Sequence, residues 1–104
     1  MTTTETKNQL IDLETLQRVA PIIRNAAHPL RLRILDYLQH AGGERNVSQI
    51  VEAAEAEQAV VSQQLRILKD QGILSARREG TNVYYRIADP SVLLLLDCIR
   101  HHKK

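Results

Sequence analysis

With 104 residues, the chain has room for one domain and one modest core. Neither tryptophan nor phenylalanine occurs, so that core has to be aliphatic. A net charge of +2 neither demands nor excludes nucleic acid, and a single cysteine excludes an internal disulfide and suits a reducing cytoplasm. The longest unbroken apolar run, Val92–Leu96, is too short to span a bilayer.

Residues 1–8 are polar and threonine-rich, show no secretory signal, and read as a flexible tail. Apolar residues then recur at positions 13, 16, 20, 23 and 27, the alternating steps of three and four that make a helical seam. Pro21 interrupts it and predicts a kink or a break. A seam this narrow suits packing on a partner chain or on its own domain. His28 marks the junction to the next helix as a capping or packing residue, and Pro29 suits a first helical turn. Over Pro29–Gln39 the stripe Leu30, Ile34 and Leu38, joined by Leu35, predicts the buried face, with Arg31, Arg33 and Asp36 pointing elsewhere. Positions 41–45 read as a loop.

Asn46, with Gln49 three residues on, is a capping-box pattern that opens a short helix over Val47–Ala54. A second helix is expected over Gln58–Gln71 and is stopped by Gly72. At about 100° per residue, Val61, Leu65 and Leu68 fall on one stripe and Ala59, Gln63, Arg66 and Asp70 on the opposite one. After Gly72 the period drops to two. Leu74, Ala76 and Arg78 alternate with Ile73, Ser75 and Arg77. Val83, Tyr85 and Ile87 alternate with Tyr84 and Arg86, so a hairpin turning at Glu79-Gly80-Thr81-Asn82 is expected. Asp89 as N-cap and Pro90 at the first helical position predict a last helix. Its leucines cover every direction, more than a small domain buries, so one side is expected to meet a second subunit. Cys98 on that helix reads as buried packing; an intersubunit disulfide requires the two last helices to cross there.

Four helices, a basic hairpin and a final helix (α-α-α-α-β-β-α) predict a mainly α winged helix-turn-helix. Its second helix would enter a major groove and its hairpin arginines would lie along phosphates. No Ser/His/Asp or Cys/His pairing and no glycine-rich phosphate loop points to an enzyme. A winged helix used only for protein interaction or dimerisation is the competing reading, mildly favoured by Asp70 and Glu79.

Three segments carry a resemblance. Ala27-His28-Pro29-Leu30-Arg31-Leu32-Arg33-Ile34-Leu35 resembles the "LAxPxRLxIL" signature of the arsenic-repressor (ArsR/SmtB) family of bacterial transcription regulators. Gln58 to Leu68 is similar to its recognition helix, "QSxVSxHLxxL", and Gly72 to Ile87 to its "GLVxxRxxGxxxxYxL" wing. The resemblance implies a repressor that is homodimeric through its first and last helices and binds an imperfect inverted repeat in double-stranded DNA. It implies base reading by Gln58, Ala59, Ser62 and Gln63, with Ala59 and Gln63 standing where serine and histidine are common. It implies phosphate or wing contacts from Arg66, Lys69, Arg77, Arg78, Thr81, Asn82 and Arg86. Leu13, Leu16, Val92, Leu95, Leu96 and Ile99 are the expected dimer interface.

The family's metal sites are incomplete here. Val47–Ala54 contains no cysteine pair. At the last helix Asp89 and His102 remain, with His101 beside them, but Ser91 replaces a histidine and Lys103-Lys104 stand where a glutamate is expected. No cofactor and no metal are expected; what remains is a small-molecule inducer bound near the dimer interface, or no signal at all.

Overall fold

The computed structural model describes residues 9–102. The tail assigned to residues 1–8, and Lys103-Lys104, lie outside the described residues.

Helix α1 spans Leu13–Ala26, and Asp12 caps it by accepting the Thr15 backbone N–H at 3.0 Å. Of the kink or break expected at Pro21, the break does not occur: the helix runs through it. A proline removes only its own N–H bond to the residue four back, and the other backbone bonds of the 14-residue helix remain. Helix α2 spans Pro29–Ala41, two residues beyond the expected end, and stops at the left-handed Gly42. His28 is its N-cap through the backbone alone; its exposed side chain neither caps nor packs.

Helix α3, Val47–Ala54, has the full capping box: Gln49 N–H donates to Asn46 Oδ1, and Asn46 N–H to Gln49 Oε1, both at 2.9 Å. Glu55 then takes a left-handed conformation (φ 55°) rare for a residue with a side chain, and Arg33 Nη2 holds its carboxylate at 3.1 Å. Helix α4, Gln58–Asp70, follows. Gly72 (φ 77°) reverses the chain into the sheet.

Strands β2 (Leu74–Glu79) and β3 (Asn82–Ile87) pair antiparallel from Leu74 opposite Ile87 to Glu79 opposite Asn82. The two-residue connection begins with Gly80 at φ 63°, where a hairpin turn of this length favours glycine. A third strand went unseen in the sequence. β1, Arg45–Asn46, pairs with β3 and makes β3 the centre of the sheet. Two residues are too few for any period to show. Helix α5 spans Ser91–Arg100. It starts one residue later than expected, so Pro90 and not Asp89 is the N-cap; Asp89, one residue before it, accepts the Ser91 N–H at 2.9 Å.

The core is aliphatic, as a chain without tryptophan or phenylalanine requires. Ile34, Leu35 and Leu38 of α2, Ile50 of α3, Val61, Leu65 and Leu68 of α4, and Val92 and Leu96 of α5 close on one another, with Ile73 and Leu74 sealing the base of the hairpin. Polar contacts fix the angle of α4. Arg31 donates to Gln64 Oε1 at 2.6 Å and to the Asn25 carbonyl at 2.8 Å, and Asn25 Nδ2 donates to Gln71 Oε1 at 2.9 Å. The end of α1 is thereby tied to α4 through Arg31 of α2 and to the α4 C-cap, Gln71.

Candidate nucleic-acid interface

With Val61, Leu65 and Leu68 fully buried, helical geometry leaves α4 one outward ridge. Gln58, Ala59 and Gln63 are exposed on it, and Ser62 is half-buried at its flank. Val60 is also exposed, an apolar side chain on an otherwise polar surface. The sequence reading passed over it, although its position off the Val61–Leu65–Leu68 stripe was a usable signal.

Ser62, Arg66 and Lys69 line one wall of a cleft of about 420 Å³, and Ala76, Arg78, Val83 and Tyr85 of the hairpin line the other. Three cations meet here and no carboxylate lines the space. Among the described residues, none of the three makes an ion pair within 4.0 Å or a side-chain hydrogen bond, so their charge faces solvent. Such an arrangement attracts an anion.

The other hairpin arginines lie on the opposite face of the wing, because neighbouring residues in a strand alternate. Thr81 and Asn82 are exposed at its tip. Arg86 is exposed near the C-terminal end of α2, lining a separate hollow with Gln39, Gly42 and Gly43. Arg77 does not face solvent alone. Its Nε lies 2.9 and 3.2 Å from the two Glu44 oxygens, its Nη2 lies 2.9 Å from Glu44 Oε1, and its Nη1 lies 2.8 Å from Glu79. The guanidinium also sits 4.8 Å over the Tyr84 ring.

The hydrogen bond from Arg77 holds the Glu44 carboxyl below its ordinary value of 4.5, and the bonds to Glu44 and then Glu79 keep Arg77 firmly protonated. A carboxyl depressed in the folded state contributes stability above its ordinary range and loses it as pH falls through the depressed value. The Arg77 Nε and Tyr84 ring signals should therefore stay fixed in an NMR titration from neutral pH down to about 4.5 and move together only below that. Movement centred at the ordinary value of 4.5 would mean that this pair is not closed in solution.

Helices α1 and α5 bear the second surface. The predicted seam of α1 is the exposed side: Leu13, Leu16 and Ile23 are all solvent-facing, whereas Ala26 is buried and Ile22 packs on the core. On α5, Leu94 is 74% exposed and Ile99 is exposed, with Leu95 half-buried. Val92 and Leu96 need correction. They are 1% and 3% exposed and belong to the protomer's own core, Val92 reaching the groove between α1 and α5 only as part of its lining. Between α1 and α5 lies an apolar groove of about 330 Å³, walled by Val19, Ile22, Ile23, Leu94 and Leu95. Cys98, expected to be buried, is exposed.

Among the described residues no three His, Cys, Asp or Glu side chains cluster to hold a metal within one protomer. The Asp89 carboxylate accepts the Ser91 N–H, His101 Nδ1 lies 2.7 Å from the Asp97 carbonyl, and His102 is exposed. No helix among the described residues is long and apolar enough to cross a membrane.

A two-helix unit with a polar outer ridge, flanked by a hairpin that closes a cationic cleft beside it, defines a winged helix-turn-helix protein. Residues 28–76 match the family described as bacterial regulatory protein, arsR family. The chain is 36% identical over 89 residues to the HTH-type transcriptional repressor SmtB of Mycobacterium tuberculosis, a match covering 85% of this chain and 64% of that protein. It thus spans just under two thirds of that relative's length. Its fold is similar to the crystal structure of the antimony-specific transcriptional repressor AntR, with a TM-score of 0.79 at 35% identity over 88% of this chain and 81% of the other. It is also similar to a homodimeric winged helix-turn-helix DNA-binding domain from Mycobacterium bovis, with a TM-score of 0.68 at 37% identity over 88% and 91%. The chain belongs to the arsR family of bacterial regulatory proteins, a family of transcriptional regulators and not of enzymes.

Proposed function

We propose that this chain is a single-domain, cytoplasmic repressor that binds an imperfect inverted repeat in double-stranded DNA as a homodimer. Gln58, Ala59, Ser62 and Gln63 read base edges from the major groove. Gln63 suits adenine, whose N6 and N7 its amide pairs in two-pronged fashion, and Val60 suits a thymine methyl. Arg66, Lys69 and Arg78 hold backbone phosphates, while Thr81 and Asn82 touch the duplex from the wing tip. Leu13, Leu16, Leu95 and Ile99, with Ile23 and Leu94, join the two copies. The observation that carries this reading is the cleft between α4 and the wing, where three cations without carboxylate partners border the polar ridge. The homodimeric relative and the repressors similar to this chain support it.

The regulator is read as lacking the family's usual metal sites, because Ser91 and Lys103-Lys104 stand where donors are expected. A small-molecule inducer is the signal that remains.

Gln63→Ala tests the base-reading ridge. It should cost about 1–3 kcal/mol on the preferred site and relax one base position, whereas Arg78→Ala should weaken all sequences alike. Binding selections on randomised duplexes check both. Equal losses on every sequence for the two variants would remove the ridge from recognition.

A further inference from the structure

The two adjacent wing arginines face opposite ways, and only one is available to DNA. Arg78 opens into the cleft with Arg66 and Lys69. All three guanidinium nitrogens of Arg77 already point at carboxylate oxygens, of Glu44 on one side and Glu79 on the other. Two carboxylates surround this one guanidinium, so the charge of Arg77 is already matched within the protein.

The placement of these partners is specific. β2, which carries Arg77, is an edge strand; β3 separates it from β1. The Arg77 side chain crosses the Tyr84 ring of β3, the residue directly opposite it in the ladder, and reaches Glu44 next to β1. It therefore links all three strands on the side away from the cleft. β1 ends on Asn46, which is also the N-cap of α3. A shift of Glu44 relative to β2 would change the angle between the hairpin and the helix pair, and with it the distance from Arg78 to Arg66 and Lys69.

We propose that Arg77 is a wing-positioning residue, clamped by Glu44 and Glu79, which holds the hairpin at the angle that faces Arg78 towards the recognition helix. The inference rests on the DNA-binding reading above. Charge alone makes the opposite forecast for Glu44: removing a carboxylate from a DNA-binding protein strengthens binding. A clamp makes Glu44 necessary despite its sign. A bidentate arginine pair is also a matter of geometry as much as charge, which suits positioning.

The experiment measures affinity for the preferred duplex across a salt series for the full chain, Glu44→Gln, Arg77→Ala and the double variant. Expected are losses of roughly threefold to tenfold for each single variant, an unchanged salt slope, and no further loss in the double variant, as for residues acting through one shared contact. Tighter binding by Glu44→Gln would overturn the clamp. So would a slope reduced by about two per dimer for Arg77→Ala, the sign of one lost phosphate contact in each protomer. The Tyr84 ring signal separates either result from general unfolding: it should shift in both single variants while the signals of the buried Leu35 and Leu65 methyls keep their dispersion. A shallow salt dependence of the unmodified chain would instead count against the DNA-binding reading itself.

Discussion

The Leu94→Glu variant is expected to sediment as a monomer and to lose roughly 10²–10⁴-fold in affinity for an inverted repeat, the factor supplied by linking two binding modules. Leu94 is 74% exposed on the protomer and borders the α1–α5 groove with Ile23 and Leu95. A carboxylate there leaves the protomer's core intact. Within a dimer it would have to be buried against leucine and isoleucine without a partner, a cost of several kcal/mol. Leu95 is the less clean position, because it is half-buried and packs against the core. Analytical ultracentrifugation with a thermal melt tests this: monomers with an unchanged melting profile are expected, apart from the concentration dependence that a dimer adds. An unchanged dimer mass would place the interface on another surface.

The second large effect is on salt. Arg66, Lys69 and Arg78 of two protomers amount to six phosphate contacts, for which the log–log slope of affinity against salt is about −5. Between 50 and 200 mM salt that slope corresponds to a loss of about a thousandfold. A winged helix serving only as a protein-binding module would show a shallow dependence, because the counterions released there are few. Fluorescence anisotropy over that range distinguishes the two functions. Each substitution of a cleft cation should reduce the slope by about two per dimer, one for each protomer. Arg77→Ala should leave the slope unchanged.

Much of the reading unit was legible because its signals are local. Val61, Leu65 and Leu68 repeat at helical spacing, so the stripe they define and the ridge opposite it follow from residues within two turns of one another. Asn46 and Gln49 cap a helix across three residues, and the alternation from Leu74 to Ile87 makes a hairpin whose turn carries its own glycine. The seam of α1 was likewise written in its spacing, although whether it faced inward or outward was not. The structure places it outward.

What escaped depends on contacts between distant segments. Strand β1 is two residues whose pairing partner lies about forty positions away. Glu55 takes a left-handed turn without the glycine that would announce it. The leucine run of α5 is apolar in every direction, so nothing in it chooses a buried side; its docking against the rest of the domain selects Val92 and Leu96 and leaves Leu94 and Cys98 outside.

By itself, the order of residues determined the helices and the hairpin, the buried stripe of α4 and the family, because each of these rests on periodicity and short-range chemistry. Only the tertiary structure decided which arginines act together. Arg77 and Arg78 are neighbours in the chain, yet strand alternation sends one to Glu44 and the other to Arg66 and Lys69. A charge takes its role from what faces it across space, and that partner is set by how the sheet docks on the helices.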